Sequence, residues 1–196
     1  MAFGSTDEGP FASKPDENTP DEPGQLVVRD LATGLDTPWD IAMAPDGVIW
    51  VTERRGVVSR VDTASGQVTP VGTVSAVEQS ESGLLGLALR PNFPSPPLVY
   101  LAYSYISTGG IRNRLVRRAW DGQELGVEEI LLDRIPGASN HDGVRIVIGP
   151  NRNLYLTTGD ALDTRLPQNT SSLAGKVLRL TLDGIPVPEN AFGNAV

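Results

Sequence analysis

Three stretches of this chain repeat one pattern, and that repeat narrows the folds open to it. They are DIAMAPDGVIWVTE (Asp40 to Glu53), LLGLALRPNFPSPPLVYLAY (Leu84 to Tyr103) and VRIVIGPNRNLYLTTGD (Val144 to Asp160). Each has an apolar run, a proline with a short polar turn, and a second apolar run. Pro45, Pro91 and Pro150 mark the same point in each unit, 46 and 59 residues apart (91 − 45 and 150 − 91). Short apolar runs bounded by turn residues read as strands. A supersecondary unit that recurs along a chain buries its apolar face against the next copy of itself. Third strands follow in the same register: GVVSRVD (Gly56 to Asp62), RLVRRAW (Arg114 to Trp120) and GKVLRLTLD (Gly175 to Asp183) alternate polar and apolar residues. Such alternation fits a strand with one buried face. Weaker fourth strands follow near Val68 (QVTPVGTV) and Leu131 (EEILLDRI). The first strands are small and apolar, which predicts burial on both faces near a central axis. No segment shows long helical periodicity. The expectation is an all-β chain of about three four-stranded propeller blades. A further strand is expected over Gln25 to Leu31 (QLVVRDL). Three blades do not close a ring, so the remainder is expected in sequence outside this chain, or in a second copy forming a two-fold homodimer.

Composition removes several function classes. The 196 residues include no cysteine, which excludes disulfides, thiolate metal sites and a cysteine nucleophile. The formal net charge of −8 argues against nucleic acid as a partner, because that affinity rests on Lys and Arg neutralising phosphates. No run approaches the roughly 18 apolar residues of a membrane-spanning helix. Met1 to Gly24 lacks the apolar core of a signal peptide and is rich in Pro, Gly, Ser, Asp and Glu. It is expected to be disordered, since it has too little apolar surface to offset its ordering entropy. Tails of this composition often follow a removed export signal or a lipid anchor.

Four stretches resemble the glucose/sorbosone dehydrogenase family, also called the aldose sugar dehydrogenases. They are GLDTPWDIAMAPDGVIWVTER (Gly34 to Arg54), ESGLLGLALRPNF (Glu81 to Phe93), IPGASNHDGVRIVIGPNRNLYLTTGDA (Ile135 to Ala161) and SSLAGKVLRLTLDGIPVPEN (Ser171 to Asn190). They stand in the family's order and at compatible spacing. The resemblance implies a six-bladed β-propeller that binds pyrroloquinoline quinone (PQQ) near the axis with Ca²⁺ against it. It implies oxidation of the anomeric hydroxyl of an aldose to a lactone, outside the cytoplasm, in the periplasm or beyond the cell. Electrons would pass to an acceptor other than oxygen.

His141, the one histidine of the chain, aligns with the family's general base. Hydride leaves a sugar carbon more easily as the hydroxyl proton is removed, and an imidazole can take that proton near neutral pH. The residue alone also fits an ordinary hydrogen-bonded loop histidine. Glu81 stands where the family places Gln or Glu facing substrate, and also fits a solvated acid of an acidic loop. Asn140 would contact substrate or orient His141, or serve as a turn residue. Arg145 could pair with a quinone carboxylate or brace the propeller by a salt bridge. Asp160, ending the second strand of the third repeat, would brace the site loops or serve as an ordinary turn residue. Val144 departs from the family, which has glycine there. A β-branched residue disfavours glycine-like backbone angles and would narrow the approach of a cofactor. No metal ligand is assigned in this chain.

The family's next motif, a Gly-His-Arg-Asn-Pro type of segment, is not present in these residues. It carries the arginine and asparagine expected to polarise the quinone, and the later basic residues that clamp its carboxylates are not present either. The chain alone is therefore expected to be inactive, as half of a competent enzyme. The alternatives are a propeller that binds sugar or protein without redox chemistry, and a calcium-dependent lactonase of propeller fold.

Overall fold

A computed structural model describes residues 26–192. The opening stretch 1–24, read as a disordered tail, lies outside the described residues, as does Gln25. Residues 26–31 carry no regular secondary structure, so the strand expected up to Leu31 is not formed over its described part. Alternation of apolar residues is too short there to specify a partner strand.

Beyond that point the described residues form eleven strands in three antiparallel sheets and no helix. The first sheet contains β1 (Pro38–Met43), β2 (Ile49–Glu53), β3 (Val57–Val61) and β4 (Val68–Thr73), in that spatial order. The second contains β5 (Leu84–Leu89), β6 (Leu98–Ser107), β7 (Gly110–Trp120) and β8 (Leu125–Pro136), again in order. The third contains β9 (Gly143–Ile148), β10 (Leu154–Thr158) and β11 (Val177–Leu180). Each sheet is a meander that starts from one of the repeated units, so the repeats are the first two strands of successive blades. The third blade has three strands among the described residues, with Pro186 bridging back to Leu180 beyond them.

The period-two rule explains how the middle blade joins its neighbours. On β6, Val99, Leu101 and Tyr103 enter the core shared with the first blade. The intervening Tyr100 and Ala102 enter the core shared with the third. Each side chain alternates to the other face, so one strand serves two cores. On β5 the same division falls as Leu84 and Leu87 against Leu85 and Ala88, offset by a bulge at Leu84/Gly86. Trp50 seals the first core edge-on to Phe93 at 5.6 Å and to Trp120 at 5.0 Å between ring centres. Trp50, Tyr100 and Tyr103 are buried.

Burial of the first strands on both faces holds for β5 alone. β5 packs between β1 and β9. Among the described residues β1 and β9 each have a neighbouring blade on one side only, so Ile41 and Met43 of β1 and Val147 of β9 are more than half exposed there. The three first strands are joined by one carboxyl group. Asp40 on β1 is buried; its Oδ2 accepts the Leu87 amide of β5 at 3.1 Å, and its Oδ1 meets Arg145 Nη1 of β9 at 2.5 Å. Asp40→Ala leaves the Leu87 N–H without an acceptor and is expected to cost about 2 kcal/mol. In a thermal melt that is a fall of roughly 4–8 °C. An unchanged melting temperature would show that Asp40 does not join the blades.

Candidate functional site

Antiparallel meanders return every first-strand start and second-strand end to the same edge of the blades. Three loops meet there: the β4–β5 connection carrying Glu81, the β8–β9 connection carrying Asn140 and His141, and the β10–β11 connection carrying Asp160. Residues that are 60 positions apart thereby touch. The Glu81 Oε2 accepts the His141 amide at 2.7 Å, and the Glu81 amide donates to the Ser139 carbonyl at 2.9 Å. His141 Nδ1 stands 2.9 Å from Asp160 Oδ1. The imidazole is about half exposed and Asp160 is mostly covered, at 55% and 19% side-chain exposure. A carboxylate only accepts, so in the neutral imidazole Nδ1 carries the hydrogen and Nε2 is left with its lone pair free. Asp160 is itself held by the Leu162 amide at 3.0 Å.

The supporting backbone is strained where the loops converge. Ser80, His141, Val144, Ala161 and Leu162 all have φ between 53° and 63° without being glycine. Such conformations cost energy and gather at functional sites, where surrounding contacts enforce them. Arg54 is one enforcer: its guanidinium donates to the Ser82 carbonyl at 2.9 Å and also to the Ser80 carbonyl. Asn140 is another. It donates to Ser80 Oγ at 3.0 Å and accepts from Ser139 Oγ at 3.0 Å, which ties the two loops together.

Val144 adopts φ 54° despite its branched Cβ. Its side chain is fully buried in the core between the second and third blades. The departure from glycine therefore puts its bulk into the core, while Gly143 and Arg145 occupy the exposed face of β9. Arg145 serves the salt bridge with Asp40, the second of its two sequence readings, yet its side chain stays 54% exposed.

Beside His141 an open cleft of about 510 Å³ is lined by Thr158, Asp160, Pro167, Gly175 and Lys176. One wall is the long β10–β11 loop, closed at its base by the Gly175 amide donating to the Gly159 carbonyl at 2.7 Å. Lys176 spends its ammonium on the carbonyls of Leu166, Pro167 and Ala174 at 3.0, 3.0 and 2.7 Å. Three donors meet three acceptors, which fixes the loop in place. Among the described residues no cluster of three or more His, Asp or Glu side chains could hold a metal ion. Asp142, Gly159 and Lys176 were not marked by sequence reasoning. The Asp-Gly pair after His141 resembles any turn, and nothing local betrays the bonds it makes.

The carboxyl group of Glu81 lies below the usual glutamate range, first because it accepts the His141 amide and then through the Asn140 side chain. A depressed folded value means that Glu81 contributes stability above its unfolded pKa of about 4.5 and loses it as pH falls through the lowered folded value. The His141 amide resonance is expected to move with that protonation, at a midpoint below about 4.5. A midpoint at or above that value would show that the bond does not form in solution.

Comparison with known proteins decides the family. Residues 35–196 match the glucose / sorbosone dehydrogenase family. The chain belongs to the glucose/sorbosone dehydrogenase family. Quinoprotein glucose dehydrogenase B of Acinetobacter calcoaceticus is 30% identical over 200 residues, covering 85% of this chain and 41% of that protein. Aldose sugar dehydrogenase of Escherichia coli K12 is 28% identical over 178 residues, covering 87% and 48%. The solved PQQ-bound aldose sugar dehydrogenase of Streptomyces coelicolor superimposes with a TM-score of 0.81 at 40% identity, over 87% of this chain and 52% of that one. This member of the glucose/sorbosone dehydrogenase family therefore spans about half the length of the relatives it matches. Its blades are propeller blades of that fold, and the converging loops lie within the matched region.

Proposed function

We propose that His141 is the general base of a PQQ-dependent aldose dehydrogenase, acting outside the cytoplasm on the anomeric hydroxyl of a sugar. The observation that carries this reading is the imidazole itself: half exposed beside an open cleft, with Nδ1 held by Asp160 and Nε2 free. The name of the Acinetobacter relative and the PQQ-bound Streptomyces structure support the cofactor class.

The residues present fit such a group in one respect. PQQ is a tricarboxylate, and Arg145 is half exposed with only Nη1 committed to Asp40. Its remaining N–H donors would hold one carboxylate. When bound, the quinone supplies a two-electron acceptor for the hydride that leaves the sugar carbon. His141 Nε2 takes the hydroxyl proton as the carbon–oxygen double bond of the lactone forms. Asp160 keeps the ring in the tautomer that can accept it and stabilises the charge the ring gains. Glu81, exposed at the same edge, would hold a sugar hydroxyl. Asn140 fixes the Glu81 loop against the His141 loop. The cation lining the cleft, Lys176, is spent on backbone carbonyls, which leaves the shared Arg145 guanidinium, outside the cleft lining, for a group with several carboxylates. For that reason we expect the 196-residue chain by itself to give no sugar oxidation. Ca²⁺, with no ligand set assigned in this chain, and an electron acceptor other than oxygen complete the reading.

The test is to reconstitute the full-length natural protein with PQQ and Ca²⁺ and to assay aldoses with a redox dye. Sugar-dependent dye reduction that requires PQQ is expected. Sugar binding without dye reduction under any of these conditions would instead favour a propeller that binds sugar and does no redox chemistry.

A further inference from the structure

Two adjacent pairs of residues cross at the site, and in each pair one side chain faces out while the other is buried. Glu81 and His141 are exposed; their neighbours Ser82 and Asp142 have 0% and 1% of their surface accessible. The outer members meet through the Glu81 carboxyl group and the His141 amide. The inner members meet as well: Ser82 Oγ lies 2.8 Å from Asp142 Oδ2 and 2.7 Å from the Ala138 carbonyl. The other oxygen, Asp142 Oδ1, accepts from Asn113 Nδ2 at 3.0 Å and from the Ala138 amide at 3.1 Å. Asn113, on β7, is completely buried and is oriented by Ser104 of β6, whose hydroxyl donates to Asn113 Oδ1 at 2.7 Å. The backbone closes over this cluster so tightly that a Cβ on Gly137 would stand 3.1 Å from both Asn113 Nδ2 and Asp142 Oδ1.

We propose that Asp142 is the positioning residue of this site: its buried carboxyl group, clasped by Ser82, Asn113 and the Ala138 amide, sets the register in which Glu81 meets His141. The proposal takes from the preceding reading only that Glu81 and His141 share one site. A carboxyl group is costly to bury, and Asp142 forms no ion pair among the described residues. It is held by neutral donors alone, so it contributes geometry where an apolar side chain would pack at lower cost. The Ser82 hydroxyl ties this carboxyl group and the Ala138 carbonyl to the Glu81 segment, and a loop with φ 60° at His141 needs such enforcement.

The test is amide hydrogen exchange on this chain, read at His141 and, as an internal reference, at Val51 and Thr52 of β2. Asp142→Ala is expected to accelerate exchange at His141 at least about tenfold while the β2 amides stay within about twofold of wild type, because the opening is local. The His141 amide should also lose the downfield shift that its bond to Glu81 produces. Asp142→Asn should restore both readings to within about twofold of wild type. The amide oxygen still accepts from Asn113 and Ala138, its NH₂ donates to Ser82 Oγ, and the Ser82 proton remains for the Ala138 carbonyl. Should Asp142→Ala not fold, Ser82→Ala carries the same reading, with exchange at His141 accelerated about threefold and β2 unchanged. Unchanged exchange at His141 in a folded variant overturns the proposal. So does acceleration at β2 by the same factor, which would be general loss of stability. These readings are independent of sugar oxidation, so failure here and failure of the enzyme reading are separate results.

Discussion

Replacing Gly159 with alanine is expected to destabilise the chain by about 3 kcal/mol, the upper range for forcing an extra methyl into packed structure. A Cβ on Gly159 would stand 1.6 Å from the His141 carbonyl oxygen, 2.3 Å from its carbon and 3.0 Å from the Asp142 nitrogen. These are backbone atoms and cannot swing aside as a flexible side chain would. Nor can the two segments separate freely. The Gly159 amide donates to the Asp142 carbonyl at 2.8 Å, and the Ala161 amide to the His141 carbonyl at 3.3 Å. The methyl group must therefore displace the histidine loop and break at least one of these bonds. A thermal melt should show a fall of roughly 6–12 °C for a chain of this size. Gly126→Ala is the matched control. Gly126 is exposed on β8, and a Cβ there meets only the Ala119 carbonyl at 3.5 Å. Its melting temperature should change by no more than about 0.5 kcal/mol implies. Equal melting of Gly159→Ala and wild type, with the His141 resonances unmoved, would mean that the two loops are not in contact in solution.

The blades were legible in the sequence because their signals are local. A proline turn between two apolar runs specifies a hairpin, and alternation specifies which face is buried; β1 to β3, β5 to β7 and β9 to β11 all lie where those signals stand. The failures are also physical. Residues 26–31 have the composition of a strand, but a strand exists only by pairing, and composition does not supply the partner. β1 and β9 have the apolar content of strands buried twice, yet among the described residues each is covered on one side only. Whether a residue is buried depends on what stands opposite, which no window of sequence contains.

The site divides in the same way. The resemblance pointed to His141, Glu81, Asn140, Arg145 and Asp160, and the fold brings His141, Glu81, Asn140 and Asp160 to one edge. Arg145 instead reaches Asp40 across 105 residues of sequence. Asp142 was legible only as the companion of a glycine in a turn. Its burial depends on Asn113 and Ser82, 29 and 60 residues away. Val144 shows the converse. A β-branched residue argues against a positive φ, but packing of its buried side chain between two blades outweighs a local cost of roughly 1–2 kcal/mol.

The second large effect concerns rate rather than stability. His141 is half exposed, so its replacement removes little buried surface, and His141→Ala should fold with a melting temperature close to wild type. Its loss should nevertheless remove the acceptor for the hydroxyl proton. A positioned general base contributes about 10²–10⁴-fold, so kcat/KM should fall by that order. PQQ affinity should change little, since the proposed reading assigns a quinone carboxylate to Arg145 and not to His141. Asp160→Asn should lose less, because the ring remains but its tautomer is no longer enforced. The direct test of the account is therefore kcat/KM of the His141→Ala variant of the full-length natural protein, reconstituted with PQQ and Ca²⁺ and supplied with an aldose and a dye acceptor. The account predicts a loss of at least about a hundredfold with cofactor still bound. Sugar oxidation at the wild-type rate by that variant would contradict it.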